Sequence, residues 1–194
     1  SGARKLTHLD TVHARPDTLG MRVLLITVLT LGLAWTSVPA RAEFDAGMAA
    51  YERGEFETAM NEWLPLAEAG DAEAQYRVGR LYGKGEGAGE DKFEALSWYL
   101  VAAKQGHPTA TYNAGVYYSH GWGARRNTIA SLEYYRDAAG MGFAPAMFNL
   151  GVIYGEGRGD VPQNEPQAVQ WLVKAANAGH PGAQNNLGVA YSSG

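Results

Sequence analysis

AEAQYRVGRLYGKGEGAGEDKFEALSWYLVAAKQG, residues 72–106, decides the fold, because its spacing returns further along the chain. Ala74, Val78, Leu81 and Tyr82 fall at i, i+4, i+7 and i+8. After a glycine-rich interval, Gly83 to Gly87, residues Ala95, Tyr99, Ala102 and Ala103 repeat that spacing. Each set lays one apolar stripe along a helix, so the pattern predicts two amphipathic helices, Ala72 to Tyr82 and Asp91 to Lys104, closed by Gly106. At an offset of 36 the pattern returns as Ala110, Ala114, Tyr117 and Tyr118, then Ser131, Tyr135, Ala138 and Ala139. Gly121, Gly123 and Gly142 stand where Gly85, Gly87 and Gly106 stood. A fixed period of this length is the mark of a helical repeat array.

A third copy runs through Ala146, Leu150, Ile153 and Tyr154, then, after one inserted residue, Ala168, Leu172, Ala175, Ala176 and Gly179. A fourth begins at Ala183, Leu187, Ala190 and Tyr191 and breaks off at Gly194, where the loop glycine is due, so the array is expected to continue beyond it. Upstream, Ala59, Trp63, Leu66, Ala67 and Gly70 match the second helix of the pattern, preceded by a helix around Ala46 to Arg53 and a tighter turn at Gly54. Pro65 is expected to remove the bond to Asn61 and bend that helix.

The residues Ala-x-Ala-Gln-Tyr-x-Val-Gly-x-x-Tyr at Ala72 to Tyr82, the Gly-x-Gly loop and Ala-x-x-Trp-x-x-x-Ala-Ala at Ala95 to Ala103 resemble the Sel-one-like repeat (SLR), a longer-looped relative of the tetratricopeptide repeat. The resemblance spans Phe44 to Gly194. It implies an all-α fold, a right-handed α-solenoid of stacked antiparallel helix pairs. Such an array grows by stacking and has no single central core. The units are expected at about 44–71, 72–107, 108–143 and 144–180, with a partial unit at 181–194.

Residues 1–20 show neither helical nor strand period and are read as an upstream or linker segment. Met21 opens a signal-like segment: Arg22, an apolar run of 13 residues from Val23 to Trp35, and small residues ending Pro39-Ala40-Arg41-Ala42. A spanning helix needs roughly 20 apolar residues, so 21–42 is read as a cleaved signal peptide, with cleavage expected after Ala42. The mature solenoid, 43–194, is then periplasmic or secreted, with no stable membrane span left after cleavage.

From Glu43 onward the chain has 11 Lys and Arg against 18 Asp and Glu, a net of −7. An acidic body argues against nucleic acid as partner. The absence of cysteine excludes disulfides, thiol nucleophiles and cysteine metal sites. No His-Glu-x-x-His or Gly-x-Ser-x-Gly occurs, and Gly83 to Gly89 lacks the preceding strand and the Gly-Lys-Ser/Thr of a phosphate loop. His8 and His13 lie in the leader, His107 and His180 at equivalent turns, and His120 beside Trp122, so no metal or cofactor is expected. Glu86, Glu90, Asp91 and Glu94 read as loop and helix N-terminal charge.

Two recurring positions need an explanation. Gly79, Gly115, Gly151 and Gly188 sit mid-helix, where glycine costs about 1 kcal/mol relative to alanine. Close approach of a large side chain on the partner helix, Trp98, Tyr134 and Trp171 or their neighbours, is the expected reason. Gly106, Gly142 and Gly179 suit a left-handed cap, and the prolines of His107-Pro108 and His180-Pro181 are expected to stop the preceding helix.

The other position is polar: Arg77, Asn113, Asn149 and Asn186, one per unit and off the apolar stripe. These should form a ladder along the stacked first helices. By resemblance to tetratricopeptide arrays, first helices line a concave groove in which asparagine amides hold an extended peptide, offering donor and acceptor together. One step outward, Arg80, Val116, Val152 and Val189 would make the groove basic at its N-terminal end and apolar beyond. A second reading stays open, in which the asparagines bond between neighbouring helices as part of the repeat itself.

Three functions follow. The first is a non-enzymatic adaptor or regulator that binds a segment of another envelope protein. The second, by resemblance, is a β-lactam-hydrolysing SLR enzyme, although such enzymes depend on paired cysteines that this chain lacks. The third is a scaffold for envelope polysaccharide or peptidoglycan machinery, for which Trp122, Arg125 and Arg126 form the one sugar-stacking cluster in view.

Overall fold

A computed structural model describes residues 40–192. The leader and most of the signal segment, residues 1–39, lie outside the described residues. Nine helices are seen among them: α1 (Ala40–Glu52), α2 (Phe56–Glu68), α3 (Ala72–Lys84), α4 (Lys92–Lys104), α5 (Pro108–His120), α6 (Thr128–Gly140), α7 (Ala144–Glu156), α8 (Glu165–Asn177) and α9 (Pro181–Ser192). No strand occurs among the described residues. Each helix packs chiefly on its neighbours in sequence, so the architecture is an all-α solenoid of helical hairpins. No described helix is long and apolar enough to cross a membrane.

The capping chemistry fixes the helix starts. The Asp71 carboxylate accepts from the Ala74 N–H at 2.7 Å, Asp91 from Phe93 and Glu94, Asn127 from Ala130 and Asn164 from Gln167. Each bond satisfies a donor that has no intrahelical partner. Pro108 and Pro181 are the first residues of α5 and α9. They open the next helix instead of merely ending the last one, because the missing N–H of proline is not needed there. Helix α2 continues through Pro65 to Glu68. Helix α1 begins at Ala40, six residues before the expected start, so the cleavage expected after Ala42 falls in its first turn.

Packing explains the mid-helix glycines. A Cβ on Gly79 would lie 3.0 Å from the Tyr99 ring, one on Gly115 2.8 Å from Tyr135, and one on Gly151 2.8 Å from Leu172. The crossing side chain is thus the neighbour one residue beyond Trp98, Tyr134 and Trp171. Helix α1 follows the same rule, with Gly47 against the fully buried Trp63. The long loops dock on the hairpin before them: a Cβ on Gly87 would meet the Phe56 carbonyl at 2.3 Å, and one on Gly123 the Lys92 carbonyl at 2.1 Å. Both glycines have positive φ, 75° and 70°. The core divides accordingly into successive clusters over α1–α3, α4–α5 and α6–α8.

Candidate functional site

The polar register predicted from the sequence lies on alternate helices: Arg77 on α3, Asn113 on α5, Asn149 on α7 and Asn186 on α9. The first three are half-buried and Asn186 is exposed. Arg80, Val116 and Val152 are half-buried on the same helices, and the side chain of Val189 lies outside the described residues.

Both arginines are engaged. Arg77 Nε donates to Glu73 Oε1 at 2.7 Å, and its guanidinium lies 5.8 Å from the Trp63 ring and 5.5 Å from that of Tyr76. Arg80 donates to the Tyr51 hydroxyl and lies 4.7 Å over that ring, while Tyr51 donates to Glu86 at 3.0 Å. Glu73 therefore offsets the charge of Arg77, whereas Arg80 has a tyrosine hydroxyl for its partner.

Glu73 also receives His107. The His107 Nδ1 accepts the Ala110 N–H at 3.1 Å as the cap of α5, so the proton sits on Nε2, which donates to Glu73 Oε2 at 2.9 Å. The His107 hydrogen bond first, and the Arg77 bond and charge after it, lower the Glu73 carboxyl to about 2 against the opposing effect of burial. The Tyr76 ring stacks on His107 at 4.9 Å. Sequence reasoning missed this cluster, although Glu73 and Arg77 stand at i and i+4, the spacing of a helical ion pair.

The asparagines meet tyrosines. Asn149 Nδ2 donates to the Tyr112 hydroxyl at 3.3 Å, and the Asn113 amide lies by the Tyr99 hydroxyl, where it favours the ionised phenol. Burial pushes both phenols up, and the amide bonds oppose that shift. Asn149 thus ties α7 to α5. Because an amide offers two donors and an acceptor, one such bond leaves capacity for a further partner.

No group of three or more histidine, aspartate or glutamate side chains that could hold a metal occurs among the described residues. Trp122 is 41% exposed, stacked on His120 with ring centroids 4.4 Å apart and facing Lys92 Nζ at 5.3 Å. Arg125 and Arg126 are exposed beside it and form no ion pair among the described residues.

A family model for the Sel1 repeat matches residues 72–107, 108–143, 144–180 and 181–194, the same bounds that the 36-residue spacing gives once the one inserted residue of the third unit is counted. No curated protein sequence matches the chain. Among solved structures the chain is similar to a Sel1 repeat protein from Oxalobacter formigenes, at 32% identity and a TM-score of 0.69, covering 77% of this chain and 59% of that one. It is also similar to c5321, a protective antigen of uropathogenic Escherichia coli strains displaying an SLR fold, at 34% identity and a TM-score of 0.73, covering 79% of this chain and 34% of that one. The chain therefore spans less than two thirds of either protein. Cysteine-rich protein B of Helicobacter pylori, at 20% identity and a TM-score of 0.54 over 68% of this chain and 93% of that one, shares the fold. With stacked hairpins at a fixed period and a family model matching more than half of its length, the chain belongs to the Sel1 repeat family.

Proposed function

We propose that the chain is an exported interaction module whose first-helix face takes an extended segment of another envelope protein, as adaptor or regulator. The Sel1 repeat fold is typically a protein-interaction scaffold, and the carrying observation here is the half-buried polar register on alternate helices. Asn149 is oriented by the Tyr112 hydroxyl, Asn113 lies by the Tyr99 hydroxyl, and both keep unused amide capacity. Val116 and Val152 supply an apolar strip beside them. The β-lactam-hydrolysing alternative has no cysteine pair to rest on.

The test is affinity capture from envelope extract with the wild type and the Asn113→Ala/Asn149→Ala variant side by side. Each lost tyrosine bond is worth about 1 kcal/mol net, so capture is run well below the variant's melting temperature. A protein enriched by the wild type and lost with the variant, at unchanged helical circular dichroism, supports the reading. Loss of helix in the variant would assign both asparagines to the fold, and capture unaffected by the change would remove the ladder as the site.

A further inference from the structure

Between α5 and α7, with α6 as its floor, lies a cavity of about 370 Å³. The equivalent space one unit earlier is filled. There Tyr117 packs edge-on against Tyr99 at 5.2 Å and Trp122 at 5.5 Å, its hydroxyl lies 2.3 Å from where a Cβ on Gly83 would stand, and Lys92 donates to the Gly83 carbonyl. At the later junction the matching residues are Ile153 for Tyr117, Thr128 for Lys92 and Arg158 for Trp122, all of which line the cavity. The first two are shorter and the third is flexible, so the space opens.

The same comparison shows how the lining became polar and positive. Gly83 is replaced by Ser119, Ala95 by Ser131 and Glu90 by Arg126. In the third unit these columns read Gly155, Ala168 and Gln163, and in the fourth Ser192 returns in the first of them, so it is the buried Ser131 that is confined to this junction. Ser131 is fully buried in the floor, and its hydroxyl has no hydrogen-bond partner. A buried polar atom of this kind costs free energy until something bonds it. Asn149 and Val152 form one wall.

The mouth is cationic within an acidic protein. Arg126 enters no ion pair among the described residues, and Arg158 is engaged by Glu156 through Nε at 2.6 Å. His120 Nδ1 lies 2.9 Å from both the Val116 carbonyl and the Ser119 hydroxyl, so its ring is held against its own helix. The N-terminus of α6 beside the mouth is capped by Asn127.

We propose that this cavity binds a carboxylate ligand, gripped at the mouth by Arg126 and Arg158 and seated against the Asn149 amide. Two guanidinium forks match the paired oxygens of a carboxylate, and the volume, near the lower end for ligand pockets, suits a compact group. The proposal shares Asn149 and Val152 with the groove reading and rests on it to that extent, while Arg126 and Arg158 lie outside the ladder. The carboxylate belongs either to a free small acid or to an acidic residue of a bound segment.

The test is a titration of the isotopically labelled full chain with sodium succinate, with the peptide acetyl-Gly-Asp-Gly-amide and with sodium phosphate, following backbone and arginine side-chain resonances by NMR at low ionic strength. Saturable shifts around residues 119–131 and 149–158 are expected with a carboxylate and not with phosphate, and the tighter of the two carboxylates identifies the source. Arg126→Gln should weaken binding about tenfold. Ile153→Tyr, which restores the residue found at position 117, should abolish it. Asn113→Ala, which lies outside the cavity and tests the groove, should leave it unchanged. Absence of saturable shifts with both carboxylates, an equal response to phosphate, or unaltered affinity in Arg126→Gln would each overturn the proposal. If Ile153→Tyr fails to fold, the surface double variant Arg126→Gln/Arg158→Gln decides the same question.

Discussion

Replacing Gly115 by alanine sets two opposed effects of known size against each other. In the middle of α5 the change should favour the helix by about 1 kcal/mol. The new methyl, however, would stand 2.8 Å from both Cδ1 and Cε1 of Tyr135 and 3.2 Å from the Ser131 carbonyl. Carbon atoms prefer about 3.5–4.0 Å, so the ring or the helix pair must yield by roughly 0.7 Å or more. Tyr135 is 3% exposed and rests against Tyr112 at 5.6 Å, so the ring yields only by giving up that contact toward the cavity it lines. Overpacking of this sort costs about 1–3 kcal/mol. The net expectation is a loss on the order of 1 kcal/mol.

Gly155→Ala on α7 is the matched control, because its methyl would meet only the Ala168 Cβ at an ordinary 3.6 Å. It should stabilise by up to about 1 kcal/mol. Urea unfolding followed by far-ultraviolet circular dichroism reads both, with thermal midpoints moving roughly 2–4 °C per kcal/mol for a chain of this size. Opposite signs for the two variants are the result to expect. If Gly115→Ala is as stable as the wild type or more so, close approach is not what retains the glycine.

Two further outcomes concern the Glu73 cluster. Glu73 is held at about 2, below its ordinary 4.5, so its contribution to stability is fully present above the ordinary value and is lost as pH falls through 4.5 toward about 2. The stability difference between wild type and Glu73→Gln, measured by urea unfolding across that range, should therefore shrink on acidification and vanish at the acid end; a difference independent of pH would refute this. His107→Ala should cost about 1 kcal/mol from the cap of α5 alone, with more from the lost Glu73 bond, whereas His107→Asn should retain the cap. Equal losses for the two would show that His107 does not cap.

Much of the fold was legible because stacking repeats one set of local demands. The apolar stripes place the helices, and the loop glycines mark where a left-handed residue must close them. What the stripes could not give is the rotation of one helix about its axis relative to the next: a single-residue offset, about 100°, decides that Tyr99 and not Trp98 crosses Gly79. Helix α1 exceeds its expected length because Ala40 to Ala42 read as the tail of a signal segment. The ladder residues were found by their recurrence, yet their tyrosine partners were not, since Asn149 and Tyr112 lie 37 residues apart and the bond depends on side-chain reach.

In a solenoid each unit touches only its neighbours, so a substitution at one junction leaves the others intact. Columns that stay constant, such as the mid-helix glycines, therefore report what every junction needs. Columns that change once report what a single junction does. Ser131 is such a change, Ser119 and Arg126 stand in the same unit, and Arg158 brings a second guanidinium from the unit that follows. Drift in a structural repeat has no reason to bury an unpaired hydroxyl at 0% exposure beneath two arginines, because that atom costs free energy until something bonds it. The coincidence of an emptied space, a polar floor and a cationic mouth separates this junction from the scaffold around it.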